Sequence, residues 1–316
     1  MKNESVNDRP PQQSDIGFVG LGRMGGAMSA NLAAAGHRVV AYVRKKDQAD
    51  RLSALGLKGT TDITDLFGCG VVISMLPDDD AVRDIALGHA DIGGRGLVQG
   101  LAPGTIHLCM STISTAMASR LAREHAQRGQ GYVAAPVFGN PDAAKERQLF
   151  ILAAGAEGDL AKCQPLFDAM GQRTLAVGPE AWRANLVKLM GNMMSATALE
   201  MISEAVAVFR KRRVDPKLFI DIMTGTMFGG RAHTIYGDKI VKESYAPGFV
   251  MPLVLKDVRL ALAEAEAAGA PMPSVGVVHD RLVTGIARGH DNLDWTALGL
   301  IAAEEAGLSP LDPLTV

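Results

Sequence analysis

Cysteines, aromatic rings, an excess of either charge and long apolar runs are all scarce in this 316-residue chain, and each shortage excludes a class of protein. Cys69, Cys109 and Cys163 are an odd set beside or within apolar runs, which gives no disulfide framework and suits reduced, buried thiols. Lys and Arg number 32 against 34 Asp and Glu, so no basic field points to a nucleic-acid partner. The seven histidines are scattered, with neither His-Glu-x-x-His nor Cys-x-x-Cys, and no metal site is expected. No early apolar run reaches the ~20 residues that span a bilayer, so no membrane association is expected. Residues 1–14 are polar and lack the apolar segment of a signal peptide. They are expected to form a disordered leader, with the cytoplasm as location.

Glycine is plentiful, and six residues arrange it informatively. Ile16-Gly17-Phe18-Val19 reads as a strand, Met24 to Ala35 as a helix closed by Gly36, and between them runs Gly20-Leu21-Gly22-Arg23-Met24-Gly25. A strand that ends in Gly-x-Gly-x-x-Gly and opens a helix holds a dinucleotide pyrophosphate. The first glycine makes the turn, the second lets backbone N–H groups approach the phosphates, and the third packs helix on strand. The next strand, Arg38 to Val43, indicates which dinucleotide. NAD sites place a carboxylate about twenty residues past the glycines to accept the ribose 2′-hydroxyl. Here Arg44, Lys45 and Lys46 follow the strand with no acid before Asp47. A guanidinium pairs with a 2′-phosphate, so NADP(H) is favoured over NAD(H).

Strand and helix patterns alternate as far as Gly178. Strands are expected at Val71–Met75, Thr105–Met110, Tyr132–Ala135, Leu149–Ala154 and Thr174–Val177, with helices after Asp78, from Ser114 to Gln127 and over Leu160–Met170. Asp78, Asp79 and Asp80 are read as helix caps rather than metal ligands. This alternation predicts an α/β Rossmann-type doubly wound parallel sheet, with ligands at the carboxyl ends of its strands. Ala181 to Arg212 contains no Pro and only Gly191, so it reads as one long interdomain helix of roughly 45 Å. Helical pieces at Pro216–Thr224, Met251–Ala268, Pro273–Arg288 and Trp295–Ala306 follow. Residues 15–178 are therefore assigned to an NADP-binding domain and 179–316 to an all-helical domain for substrate and oligomerisation.

The long helix carries Asn185, Lys188, Asn192 and Ser195 on one face, among Leu186, Val187, Leu189, Met190, Met193 and Met194. A helix apolar almost all round is expected to be central, and a lysine buried on it needs a partner or a task. Facing a nicotinamide, Lys188 would polarise a carbonyl and protonate the resulting alkoxide.

These segments resemble the β-hydroxyacid dehydrogenases, the family of 3-hydroxyisobutyrate dehydrogenase and the glyoxylate and succinic semialdehyde reductases. The matching segments are Ile16 to Gly25 with Asn31-Leu32, Ser74-Met75-Leu76-Pro77, Ser111-Thr112-Ile113-Ser114, Ala135-Pro136-Val137-Phe138-Gly139, Lys188-Leu189-Met190-Gly191-Asn192 and Leu255-Lys256-Asp257. The resemblance implies that Lys188 is the catalytic lysine and Asn192 its orienting partner. Ser111 and Thr112 would contact the nicotinamide end and the substrate carboxylate, Leu76-Pro77 would lie beside the cofactor, and Lys256 would reach across to it. Taken locally, Ser111-Thr112 is read equally well as a helix N-cap, and Lys256-Asp257 as an exposed helix pair. A homodimer or homotetramer is implied as well.

One departure concerns specificity. The family usually has Ser-Gly-Gly after Ala-Pro-Val, where this chain has Phe138-Gly139-Asn140-Pro141. The ring of Phe138 adds apolar surface and Pro141 offers no backbone donor. Phe138, Gly139 and Asn140 are thus expected to line a substrate site less suited to a small anion. The resulting expectation is an NADPH-dependent oxidoreductase acting on a small carbonyl compound, an aldehyde or oxo acid, or on the matching hydroxy acid. Two rivals accompany it: an imine or iminium reductase, and a non-catalytic NADP-binding module. The retained Lys188 argues against the second.

Overall fold

The computed structural model describes residues 15–309, so the leader expected at residues 1–14 lies outside the described residues. The chain divides into two compact units. The first comprises the residues up to Ser111 together with Ala116–Ala184, and the second comprises Thr112–Thr115 and the residues from Asn185 onward.

The first unit is built on one nine-stranded sheet. Its strands are β1 (Ile16–Val19), β2 (Val39–Tyr42), β3 (Lys58–Thr60), β4 (Val71–Ser74), β5 (Ile106–Cys109), β6 (Gly131–Ala134), β7 (Val137–Phe138), β8 (Leu149–Ala154) and β9 (Gly171–Gly178). The connecting helices are α1 (Arg23–Ala34), α2 (Lys46–Leu52), α3 (Asp79–Leu87), α4 (Leu97–Gly100), α5 (Thr115–Ala126), α6 (Pro141–Lys145) and α7 (Glu157–Met170). The strands lie in the order β3-β2-β1-β4-β5-β6-β8-β7, and β9 pairs with β8.

The central strands β1, β2, β4 and β5 are buried at every position, as expected for strands covered on both faces. Alternate residues serve the two sides. Phe18, Ala41, Ile73 and Leu108 pack in the core that contains Met28 and Leu32 of α1. Val19, Val40 and Val72 join Leu97 and Leu101 on the other face. The order reverses between β1 and β4, and such a crevice at the carboxyl ends of the strands is where doubly wound sheets take ligands. Asp78 caps α3 by accepting from the Ala81 N–H at 2.8 Å, the role expected of the aspartate run.

The all-parallel expectation fails at one edge, where β6 and β7 both pair antiparallel with β8. Only residues 139–148 join β7 to β8, too short a path for a parallel crossover, which takes a dozen or more residues. The chain therefore turns back. After β8, the 14-residue helix α7 is long enough to carry β9 round parallel to it.

The second unit is helical: α8 (Trp182–Lys211), α9 (Pro216–Thr226), α10 (Arg231–Val241), α11 (Met251–Ala267), α12 (Pro273–Ala287) and α13 (Leu298–Glu305). Leu189, Met193, Ala196 and Leu199 of α8 pack in one core with Val254 and Val258 of α11, Leu282 of α12 and Trp295. The helix is not buried all round, however. Val187, Met194, Met201 and Val208, spaced seven residues apart, are 41, 76, 54 and 61 % exposed.

Helix α10 carries no clear helical pattern in its sequence, because Gly237 and β-branched residues depress its intrinsic propensity. Its glycine has a packing reason: a Cβ at Gly237 would stand 3.0 Å from the Ile220 side chain of α9. No helix among the described residues is long and apolar enough to cross a membrane.

Candidate active site

In the sheet unit the three glycines of the first turn have distinct physical reasons. Gly20 has φ +95°, and a Cβ there would run into the Met75 carbonyl oxygen. A Cβ at Gly25 would strike the Gly20 carbonyl oxygen, so α1 could not lie this close to β1 with any larger residue. At Gly22, by contrast, a Cβ would point into open space. Gly22 is the N-cap of α1 and supplies no side-chain bond to the first-turn N–H groups. Two glycines thus shape the turn, while the third keeps any side chain away from the positive end of a 12-residue helix. This is the arrangement an anionic pyrophosphate needs.

Leu21, Arg23 and Met24 complete that turn, with Arg23 exposed. Arg44 and Lys45 follow β2 after the buried Val43, and both are exposed. The loop after β4 carries Leu76 and Pro77. The Leu76 N–H donates to Ser111 Oγ at 2.8 Å, and that hydroxyl donates to the Ser74 carbonyl oxygen at 3.4 Å. The N-cap alternative for Ser111 is thereby replaced, since α5 begins only at Thr115 and the buried Ser111 hydroxyl braces the loop. Elsewhere in the same unit, Gly139 has φ +141°. Asn140 caps α6, its Oδ1 accepting from the Ala143 N–H at 2.9 Å, and Phe138 is half-buried on β7.

The helical unit brings together what the sequence separates by more than sixty residues. Lys188 Nζ donates to Asn192 Oδ1 at 2.9 Å, and Asn192 Nδ2 donates to Asp257 Oδ2 at 2.6 Å. Asp257 Oδ1 in turn lies 2.7 Å from Lys256 Nζ, which donates to the Thr112 carbonyl oxygen at 2.6 Å. One turn before Lys188, Asn185 Oδ1 accepts the Ile113 N–H at 3.2 Å. Ser195, the last of the polar stripe, bonds back to the Gly191 carbonyl oxygen of its own helix.

Asp257 decides which way the Asn192 amide faces. Its carboxylate demands the NH₂ group, so the amide oxygen turns toward the Lys188 ammonium. Lys188 is 8 % exposed. Burial pushes its pKa down to about 8, with Asp257 opposing that shift and Lys256 assisting it. An amine that titrates near neutrality can serve as acid or base, a capacity an exposed lysine lacks.

Lys256-Asp257 is therefore not the exposed pair that its sequence alone suggests. Asp257 is 2 % exposed. Its place in the relay was the functional feature missed, and the signal lay in the pattern of α11, where Leu255 and Val258 flank it on the core side.

Against known proteins, residues 15–178 match the family described as the NAD-binding domain of 6-phosphogluconate dehydrogenase. Residues 183–301 match the NAD-binding family of NADP-dependent 3-hydroxyisobutyrate dehydrogenase. The chain belongs to the β-hydroxyacid dehydrogenase family. It is 35 % identical to the uncharacterized oxidoreductase YfjR of Bacillus subtilis over 285 residues, 90 % of this chain and 98 % of that protein. With 2-hydroxy-3-oxopropionate reductase of Escherichia coli it shares 29 % over 285 residues, 90 % and 95 % of the two chains. The 3-hydroxyisobutyrate dehydrogenase of Mycobacterium tuberculosis, solved with L-serine, is 26 % identical with TM-score 0.81, covering 92 % of this chain and 99 % of that one. Membership makes the chain an oxidoreductase that uses a nicotinamide dinucleotide, and the glycine turn fits that group. This member of the family has both the open turn at Gly22 and the buried lysine on α8.

Proposed function

We propose that this chain is an NADPH-dependent reductase of a small aldehyde or oxo acid, or runs the reverse oxidation of the matching hydroxy acid, with Lys188 as the proton donor. The observation that carries the reading is Lys188 itself, buried, poised near neutral pH and aimed by the Asn192–Asp257 pair. The dinucleotide would rest on Gly20 to Gly25, with Arg44 and Lys45 toward its 2′-phosphate and Leu76, Pro77, Thr112 and Lys256 along it. When bound, its nicotinamide supplies or takes the hydride. As the substrate carbonyl gains that hydride its oxygen becomes negative, and Lys188 Nζ gives the oxygen a proton. In oxidation the neutral amine takes the hydroxyl proton instead. Asn192 sets the direction of Nζ, and Ser111, through Leu76, sets the shape of the loop.

Substrates with apolar surface are favoured, because Phe138 stands where a small hydroxyacid enzyme has a serine. Asn140 already spends its side-chain oxygen on α6. We also propose a homodimer or homotetramer, supported by the exposed strip of four apolar residues, seven apart, on α8. Light scattering of Met194→Asp with Met201→Asp should then report a smaller species than wild type.

The deciding experiment measures NADPH and NADH consumption over a panel of aldehydes, oxo acids and cyclic imines. Turnover of aldehydes or oxo acids supports the reading. Turnover of cyclic imines alone would replace it with imine reduction. A flat trace across the panel with tight NADPH binding would make the chain a binding module.

A further inference from the structure

The sheet unit holds a second buried polar chain with no counterpart in the reaction described above. Ser74 Oγ lies 2.9 Å from His107 Nε2, His107 Nδ1 lies 2.9 Å from His125 Nε2, and His125 Nδ1 lies 2.7 Å from Gln130 Oε1. Ser74, His107 and His125 are 0 % exposed and Gln130 is 6 % exposed. Tyr132 stacks on His125 and meets His107 edge-on, with ring centroids 5.6 and 5.4 Å away.

The proton positions follow from the far end. Gln130 Nε2 donates to the carbonyl oxygens of Leu101 at 2.6 Å and Val98 at 3.2 Å, so its NH₂ group is fixed there and Oε1 must accept. His125 therefore carries its proton on Nδ1 and presents a lone pair at Nε2. His107 fills that lone pair with its own Nδ1–H, which leaves His107 Nε2 bare to accept the Ser74 hydroxyl proton. With both rings neutral, one arrangement satisfies every atom, and it runs in one direction from Ser74 to the carbonyls of Val98 and Leu101.

The near end of this chain is the base of the dinucleotide turn. Ser74 is the last residue of β4, and its carbonyl oxygen accepts from the Met110 N–H at 2.8 Å and from Ser111 Oγ. The next residue, Met75, donates its N–H to the Val19 carbonyl oxygen at 2.9 Å. The Met75 carbonyl oxygen is the atom against which Gly20 turns so closely that no Cβ fits. A shift of Ser74 is thus a shift of the wall on which the glycine turn rests.

We propose that Ser74, His107, His125 and Gln130 form a positioning relay for the dinucleotide, fixing the end of β4 and with it the Met75–Pro77 loop against Gly20. This rests on the reading of Gly20 to Gly25 as the dinucleotide turn. His107 and His125 are positioning residues, and neither touches cofactor or substrate.

The test is calorimetric binding of NADP⁺ to the full chain, with the melting temperature measured in parallel. Ser74→Ala and His107→Leu should each weaken binding at least fivefold. His107→Gln keeps one acceptor and one donor on a side chain of similar reach and should stay within about threefold of wild type. Phe167→Leu, in the core on the other face of the sheet, should lower the melting temperature yet leave the affinity unchanged. If Ser74→Ala and His107→Leu bind like wild type, or if affinity follows melting temperature in all four variants, the relay is merely structural and the proposal is overturned. Should His107→Leu fail to fold, Ser74→Ala decides, since it removes a single oxygen atom. If the wild type binds neither NADP⁺ nor NAD⁺, it is the reading of the turn that falls, and the proposal falls with it.

Discussion

In the sheet unit two imidazoles lie buried in a hydrogen-bonded chain that contains no carboxylate, whereas in the helical unit a buried ammonium lies one amide away from a carboxylate. The same force acts on both. Burial disfavours the charged form, holding His107 well below its ordinary range and His125 at about 4. His107 is lowered further by its neighbour His125, so nothing restores its charge and the pair is neutral at physiological pH. Lys188 feels the same desolvation, but Asp257 opposes it and leaves the amine at about 8. A buried base without a carboxylate is suited to holding shape, and one with a carboxylate at second remove is suited to exchanging a proton.

The largest effect expected from this contrast is at Lys188. Lys188→Ala should fold, bind NADP⁺ as wild type does, and lose roughly 10²- to 10⁴-fold in kcat, the usual size of a general-acid contribution. Retention of more than a tenth of wild-type turnover would assign the lysine a structural role and end the contrast.

The pH profile sharpens it. With Lys188 as the proton donor, reduction would need the ammonium, so kcat/KM for a carbonyl substrate should fall as pH rises through about 8, while oxidation of the hydroxy acid should rise through the same range. Asp257 raises the lysine's pKa and Lys256 lowers it. Asp257→Asn should therefore move the midpoint to lower pH and Lys256→Met to higher pH. Shifts of the same sign in the two variants would show that the relay does not tune Lys188.

The histidine pair predicts the acid limit of stability. The folded-state pKa of His125 is depressed, so its contribution is fully present above the unfolded value of about 6.5 and is lost as pH falls from there toward 4. The loss is about 3 kcal/mol at the acid end of that window, readable from denaturant midpoints between pH 7 and 4.5. A variant carrying apolar residues at both 107 and 125 should show a flatter profile. An equally steep loss in that variant would place the acid sensitivity elsewhere.

Much of the lysine side of this contrast was legible in the sequence, and almost none of the histidine side. Lys188 and Asn192 share one helix, so a spacing of four places them together whatever the rest of the fold does. Asp257 reaches them only because α11 packs against α8 in the helical core, a contact that no local pattern encodes. His107 and His125 looked scattered for the same reason, since one sits on β5 and the other on α5, and only the docking of helix on strand makes them neighbours. The alternation of strands gave the doubly wound sheet. The reversal at β8 needed the length of a loop to be weighed against the reach of a crossover. Local spacing predicts what one element presents, and the two buried polar chains depend on pairs of elements.

The smallest expected effect concerns charges that are not buried. Arg44 is exposed at the end of β2, where water screens it, so its pull on a 2′-phosphate is worth far less than the same charge would be in the interior. NADPH should still be preferred over NADH by at least tenfold in kcat/KM, about 1.4 kcal/mol, because a carboxylate at this position would repel the phosphate and none precedes Asp47. Arg44→Ala should remove most of that preference while leaving NADH kinetics near wild type, and the preference should shrink as salt is raised from 50 to 500 mM. The salt dependence is the discriminating part: the buried Lys188 relay is shielded from mobile ions, so kcat should stay constant over the same range. Equal use of NADH and NADPH by the wild type, or an Arg44→Ala variant that keeps its preference, would assign the 2′-phosphate contact to other residues.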